Sequence, residues 1–306
     1  MKDYFSPQSP HPHLNPLPEG EETVFPSPSR GGLGWGWGGK AQSILLLHIF
    51  LVLFVLTTIS HALSPDEVMK NSQAAFLYPG KDYKARVVMK LISREGKERI
   101  REMTMLRKNY GELGGDQKYF IYFYQPSDVR EMTLMVWKYP GKDDDRWLFI
   151  PALNMVRRIA ASDRRSSFVG SDFTYEDISG RDIEDDNHSI IKEEKVGNRD
   201  CYVIKSVPKD EKGTDYAYKL SWIDKERSLP LKEEYQSKKG ELQKVFTADE
   251  VKEVSGFWTI TKRTMKNMEN GHRTEVTLIK AEYNLKMEDD LFTERFLKKA
   301  PKKWIE

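Results

Sequence analysis

Apolar and polar residues alternate one by one through most of the chain beyond residue 80, and a period of two marks half-buried β-strands. In "YKARVVMKLI" the residues Tyr83, Ala85, Val87, Met89 and Leu91 share one face, and Lys84, Arg86 and Lys90 share the other. The same pattern predicts strands over 98–108, 117–125, 132–139, 146–150 and 155–160. After a loop it predicts strands over 190–196, 200–208, 216–224, 230–237, 242–254, 257–267 and 273–285. The intervening "REGKE", "YPGKDD", "KVGNRD", "SKKGE" and "MENGH" carry turn chemistry. Helical signals are few. Ser64 can cap a helix that has Pro65 in its first turn and Glu67 completing a capping box, and Pro79-Gly80 stops it. A short helix is expected in "EDDLFTERFLKK" near the C-terminus.

Short turns between successive strands imply an antiparallel meander. No helix-length crossover is present, which argues against a parallel α/β sheet. No linker interrupts 63–306, so these residues read as one β-rich domain. This many strands must close into a barrel or curl around something. The concave apolar face of a curled sheet holds a ligand unless its own side chains fill it.

The first 62 residues read differently. Residues 1–40 are rich in Pro and Gly without apolar periodicity, a composition expected to stay disordered. They resemble the translation of a repetitive intergenic element of bacterial genomes, which suggests a start assigned too far upstream. No Met lies between Met1 and Met69, so a later start would need an alternative codon. Within 41–62, after Lys40, comes "ILLLHIFLVLFVLTTI" and then "SHA". A positive residue, an apolar run and a small-x-small end make a secretory signal peptide. The run is shorter than the roughly 20 residues a spanning helix needs. Cleavage after Ala62 is the expectation, and a retained anchor is the alternative. No Cys lies there to carry a lipid.

Composition narrows the chemistry. Net charge is +2, too small to argue for nucleic acid or strong binding to an anionic membrane. The single Cys201 sits in the strand-like "CYVIKSV" and reads as a buried structural thiol. Four of the six His (His11, His13, His48, His61) lie in the leader, which leaves only His188 and His272, both beside turn-like polar residues. That argues against a metal site and against a nucleophile with a His base. Neither a P-loop nor GxGxxG is present. The alternating "YFIYFY" of 119–124 reads as core on one face and cross-strand pairs on the other.

The mixed stretch "DRRSSFVGSDFTYEDI" (163–178) is the candidate site. Asp163, Asp172, Glu176 and Asp177 could form a catalytic pair, since glycosidases need only two acids. The chain holds 47 Asp and Glu, however, so several are expected in any such window. Arg157, Arg158, Arg164 and Arg165 could bind phosphate. Their near-equal number with the nearby acids favours ion pairs that pin the loop.

At "RWLFIPALNMVRRIAASDRRSSFVGSDFTYEDI" (146–178) the chain resembles the bacterial outer membrane lipoprotein-sorting protein family, in the LolA/LolB-like superfamily. There a strand ending in "YLPAL" precedes "RRI" and then "GSDFSYEDL". Here the matching residues are Phe149 to Leu153, Arg157-Arg158-Ile159 and Gly170 to Ile178. The Ser64 helix, the meander and "LFTERFL" fit the same plan. The resemblance implies a mainly β (α+β) fold, an incomplete antiparallel β-barrel or strongly curved sheet around an apolar cavity, lidded by short helices. It implies a periplasmic carrier that binds the acyl chains of a lipoprotein or lipid. It implies work with an RND-type inner-membrane exporter, as a monomer, without catalysis, cofactor or metal.

On that plan Phe168, Phe173 and Tyr175 cover the opening. Asp172 and Glu176 pair with Arg to fix the loop, Gly170 allows a turn, and Arg157 or Arg158 meets a head-group phosphate. Val87, Met89 and Leu91 line the cavity. The alternatives are a structural subunit of an envelope or exporter complex, its cavity filled by its own side chains, and an envelope hydrolase using the loop carboxylates.

Overall fold

The computed structural model of the chain describes residues 63–305. The leader expected over 1–40 and the signal segment expected over 41–62 lie outside the described residues. Thirteen strands, paired antiparallel, form one sheet among them. A first meander runs β1 (Asp82–Ile92), β2 (Glu98–Asn109), β3 (Gln117–Gln125), β4 (Thr133–Lys138), β5 (Asp145–Ile150) and β6 (Met155–Ile159). A second runs β7 (Asp186–Val196), β8 (Arg199–Pro208), β9 (Tyr216–Asp224), β10 (Pro230–Ser237), β11 (Leu242–Val254), β12 (Phe257–Asn267) and β13 (Arg273–Tyr283). The meanders join through β1 and β13, with Tyr83 opposite Tyr283. β6 and β7, consecutive in sequence, therefore lie at opposite edges of the sheet.

Those edges do not pair, so the sheet is open and curved rather than a closed barrel. Its curvature shows in the core. One cluster draws Leu134 and Ile159 from the first arm and Val203, Trp222 and Leu231 from the second, all beneath the same face. β1 follows the alternation that predicts it: Ala85, Val87, Met89 and Leu91 are buried and the Lys and Arg between them are half-buried.

Most expected boundaries hold to within two residues, and two elements differ by more. β7 begins at Asp186, in the polar "DNHS", because pairing to β8 puts His188 opposite Ser206 through backbone bonds that need no apolar alternation. The C-terminal helix is broken. A single 3-10 turn (Asp289–Phe292) stops at the extended Thr293, where Leu291 and Phe292 both bury and Trp137 donates to the Phe292 carbonyl at 3.0 Å.

In β3, Tyr119, Ile121 and Phe123 enter the concave core. Phe120 packs on the opposite face with Leu106, Met287, Leu291, Phe292 and Trp304, alongside Tyr122 and Tyr124. The C-terminal segment therefore covers the outside of this arm, which is why β3 is apolar on both faces.

Helix α1 (Pro65–Leu77) forms as its box predicts. The Glu67 N–H donates to Ser64 Oγ at 3.2 Å, and the Ser64 N–H donates to the Glu67 carboxylate at 2.7 Å. Val68 packs on Ile204 and Ile223, and Phe76 meets Phe246 at 6.3 Å between ring centroids. The buried Arg107 of β2 donates to the carbonyls of Leu77 (2.6 Å) and Pro79, satisfying acceptors the helix end leaves free.

Candidate functional site

Only the connection from β6 to β7 must travel from one sheet edge to the other, and it does so across the concave face. Within it, a Ser167–Thr174 bridge and the Phe168 N–H donating to the Phe173 carbonyl at 2.8 Å fold a small hairpin. Its tip is Val169 (φ 47°) and Gly170 (φ 81°). Positive φ is costly for the β-branched Val169 and free for glycine. Space does not demand the glycine, since a Cβ at 170 would meet only Arg101 and Leu91, at 3.9 Å.

Phe168 is 1% exposed, between Phe123 (centroids 6.0 Å) and Tyr175 (5.6 Å, edge-on). Phe173 and Tyr175 are buried as well. The hairpin leads into helix α2 (Tyr175–Ser179), capped by a second box between Thr174 and Asp177. The loop aromatics thus form a plug inside the hollow.

Ionic groups hold the plug at its periphery. The Asp172 carboxylate accepts from Thr274 Oγ1 at 2.7 Å and lies 2.6 Å from His272 Nδ1. Glu176 lies 3.2 Å from Arg164 and 3.4 Å from Arg181. Burial raises its pKa against the pull of those two guanidinium groups. Lys138, almost fully buried, donates to the carbonyls of Ser179 (3.0 Å) and Gly180 (2.9 Å), where α2 ends. Burial lowers its pKa, and Asp182 at 3.7 Å opposes the shift. Arg165 pairs with Asp215 at 2.8 Å.

Arg157 and Arg158 stand exposed on edge strand β6. The first reaches Asp163 at 4.0 Å and the second pairs with Asp145. The structure therefore gathers Phe168, Asp172, Phe173, Tyr175 and Glu176 into one element and leaves Arg157 and Arg158 on the sheet edge. The acidic partners of Arg158 and Arg165 lie outside the loop.

Beside the plug is a hollow walled by α1, β1, β2, β12 and β13. Val87 and Met89 line it with Met103, Met105, Val276 and Leu278, and Phe168 and Phe173 close one side. Leu91 packs under the plug near Gly170. The outline, counting the open mouth, encloses about 890 Å³, but room for a water-sized body is only about 80 Å³. That is smaller than the roughly 150 Å³ apolar cavity known to admit benzene. Methionine lining can reshape, being unbranched and soft.

Arg107 and Arg263 also line this hollow, and neither is among the site residues expected from the sequence. The signal was present: Arg107 shares a strand face with Met103 and Met105, and Arg263 with Met265. Among the described residues no group of three or more His, Cys, Asp or Glu is placed to hold a metal ion.

A family model described as "Uncharacterized protein" matches residues 115–299. A DUF1329 family protein from Desulfovibrio piger superposes with a TM-score of 0.70 at 28% identity, covering 77% of this chain and 100% of its own. A domain from Vibrio parahaemolyticus named for outer membrane lipoprotein sorting gives a TM-score of 0.70 at 28% identity, covering 76% of this chain and 98% of its own. A LolA superfamily protein from Nitrosomonas europaea gives a TM-score of 0.60 at 16% identity, covering 77% and 100%, a likeness of fold. No curated protein matches the chain. These matches show that the chain belongs to the outer membrane lipoprotein-sorting proteins of the LolA/LolB-like superfamily.

Proposed function

We propose that the protein is a non-catalytic carrier, exported to the periplasm, that binds the acyl chains of a lipoprotein or lipid and moves them between envelope membranes. The observation that carries this reading is the methionine-lined hollow stoppered by the chain's own aromatic hairpin. Removing acyl CH₂ groups from water is worth roughly 0.8 kcal/mol each, so binding needs no reactive group. The available room is too small for a chain while the plug is seated, so uptake requires Phe168 and Phe173 to move aside. An RND-type exporter is the proposed partner and a monomer the proposed state. Phe168, Phe173 and Tyr175 act as the gate, and Asp172 and Glu176 anchor it. The exposed Arg157 and Arg158 are left to meet a head group or partner at the β6 edge.

A second reading, a structural subunit, draws on that same small free volume: Phe168 and Phe173 already fill much of the hollow. Native mass spectrometry of the chain purified from a bacterial periplasm tests the two. Carriage predicts bound acyl lipid, with occupancy changed in the Phe173→Ala, Tyr175→Ala double variant. Unchanged lipid binding in that variant sinks the gate. A clean apo mass with no uptake of added phospholipid or lipopeptide favours the structural role.

A further inference from the structure

The charged groups in the wall of the apolar hollow are Arg107, Asp177 and Arg263. Two are engaged. Arg107 is bound to the carbonyls at the end of α1, and the Asp177 carboxylate accepts from the Thr174 N–H at 2.7 Å. The Arg263 side chain has no hydrogen bond or ion pair among the described residues, although its backbone is paired in β12 between β11 and β13. Its guanidinium lies 5.6 Å from the centroid of the Phe76 ring and 5.9 Å from that of Phe173. Burial lowers its pKa, with the phenols of Tyr83 and Tyr283 alongside. The residue is half-buried yet closely surrounded, so its remaining surface opens into the hollow.

The neighbouring polar groups are similarly disposed. Tyr83 is buried, lines the hollow and stacks on Tyr283 at 5.0 Å, and its hydroxyl has no hydrogen-bond partner among the described residues. The Tyr283 hydroxyl is shared with Thr259 Oγ1 at 2.9 Å.

A guanidinium facing an apolar space without an acceptor is expensive, and a bound anion removes the cost. Two cations and one carboxylate leave the wall with one net positive charge. We infer that Arg263, with the Tyr83 hydroxyl, is an anion receptor inside the hollow. The natural ligand is then an acyl chain carrying a single negative charge, a carboxylate or a phosphodiester. Such a ligand presents planar or forked oxygens that a guanidinium binds in pairs. Its chain lies along Met89, Met103 and Met105, and its anion replaces the missing partner of Arg263. This rests on the carrier reading and narrows it: an uncharged diacylglyceryl group lacks what the wall asks for.

The test is titration of the delipidated full-length chain with palmitate, palmityl alcohol, phosphatidylglycerol and diacylglycerol. Palmitate or phosphatidylglycerol is expected to bind roughly tenfold to a hundredfold more tightly than its neutral counterpart, the range of a charge-assisted hydrogen bond. Arg263→Gln is expected to erase that preference and Arg263→Lys to keep part of it. Neither variant breaks a hydrogen bond or ion pair of the side chain, and only Arg263→Gln gives up the cation–ring contacts with Phe76 and Phe173, so both are expected to melt within a few degrees of the parent. Preference for palmitate alone assigns a carboxylate, and preference for phosphatidylglycerol alone assigns a phosphodiester. Equal binding of charged and neutral ligands by the parent chain, or an unchanged preference in Arg263→Gln, overturns the receptor and leaves carriage standing. No binding of any of the four overturns carriage and the receptor with it.

Discussion

Replacing Phe168 with Ala separates a gate from a permanent filling. Phe168 is 1% exposed and packs on Phe123 and Tyr175 beneath the curved sheet. Truncating a buried Phe costs about 3–5 kcal/mol, through lost transfer energy and the cavity left behind. For a domain of this size each 1 kcal/mol lowers Tm by about 2–4 °C, so the apo protein should melt about 6–20 °C lower. Under the carrier reading the ligand-bound state has already displaced this ring, so the bound state does not lose its packing. The ligand also no longer has to expel the ring, and part of the apo loss returns as tighter binding. Phe168→Ala should therefore lower the apo Tm while lowering Kd for an acyl ligand by at least roughly tenfold, about 1.4 kcal/mol. Thermal melts with and without ligand, together with direct titration, read both numbers. A lowered Tm with unchanged or weaker acyl binding would refute the displacement argument, because the ring would then occupy the same place in both states.

Gly180 ends α2 with φ 81°, and a Cβ there would lie 2.2 Å from Leu77 Cδ1 of α1. Gly180→Ala should cost about 1–3 kcal/mol in urea unfolding from backbone strain and the clash; a change under about 0.3 kcal/mol would mean the two helices are not held in close contact. Glu176 bears on acid stability. Its folded pKa is raised above the ordinary value of 4.5, so in the window just above 4.5 the folded state binds more protons than the unfolded one. Its contribution to stability therefore falls as pH rises through that window, the reverse of an ordinary ion-paired carboxylate. Glu176→Gln should flatten this part of the stability curve, and chemical denaturation at a series of pH values measures it; an unchanged slope would show that Glu176 is not the titrating group.

Much of the fold is legible because period-two alternation reports local geometry. β3, β9, β10, β11 and β12 fall where the pattern puts them. Ser64 and Glu67 mark the helix start because a capping box is complete within four residues. What the pattern does not hold is pairing at a distance. Tyr83 against Tyr283 is a long-range match, and no turn signal connects them. The expected loop ion pairs form only in part: Arg157 reaches Asp163 and Arg164 meets Glu176, but Arg158 finds Asp145 on the neighbouring strand β5 and Arg165 finds Asp215 before β9, partners that no local pattern marks. Arg263 was visible as a basic residue on the Met265 face of a strand. It was hard to weigh because half-buried Lys and Arg on strand faces are common where stems cover apolar surface.

The plug follows from topology and burial together. Two meanders growing outward from β1 and β13 leave β6 and β7 at opposite edges, so the chain must cross the sheet. Thirteen strands spaced about 4.8 Å apart would be roughly 60 Å wide if flat. A connection of roughly 25 residues can extend to about 85 Å. Chain length therefore does not force the sheet to curl. The slack is taken up as a hairpin and α2, and these turn Phe168, Phe173 and Tyr175 inward while the polar and charged groups holding the segment stay at its rim. A segment held by a few ion pairs and hydrogen bonds, among them the buried ones of Lys138 and Asp172, and otherwise by aromatic packing can leave as a unit once those bonds are exchanged. The aromatic contacts it gives up are of the same kind an acyl chain supplies in return. An open sheet closed by its own connection can thus be full when empty of ligand and still be a carrier.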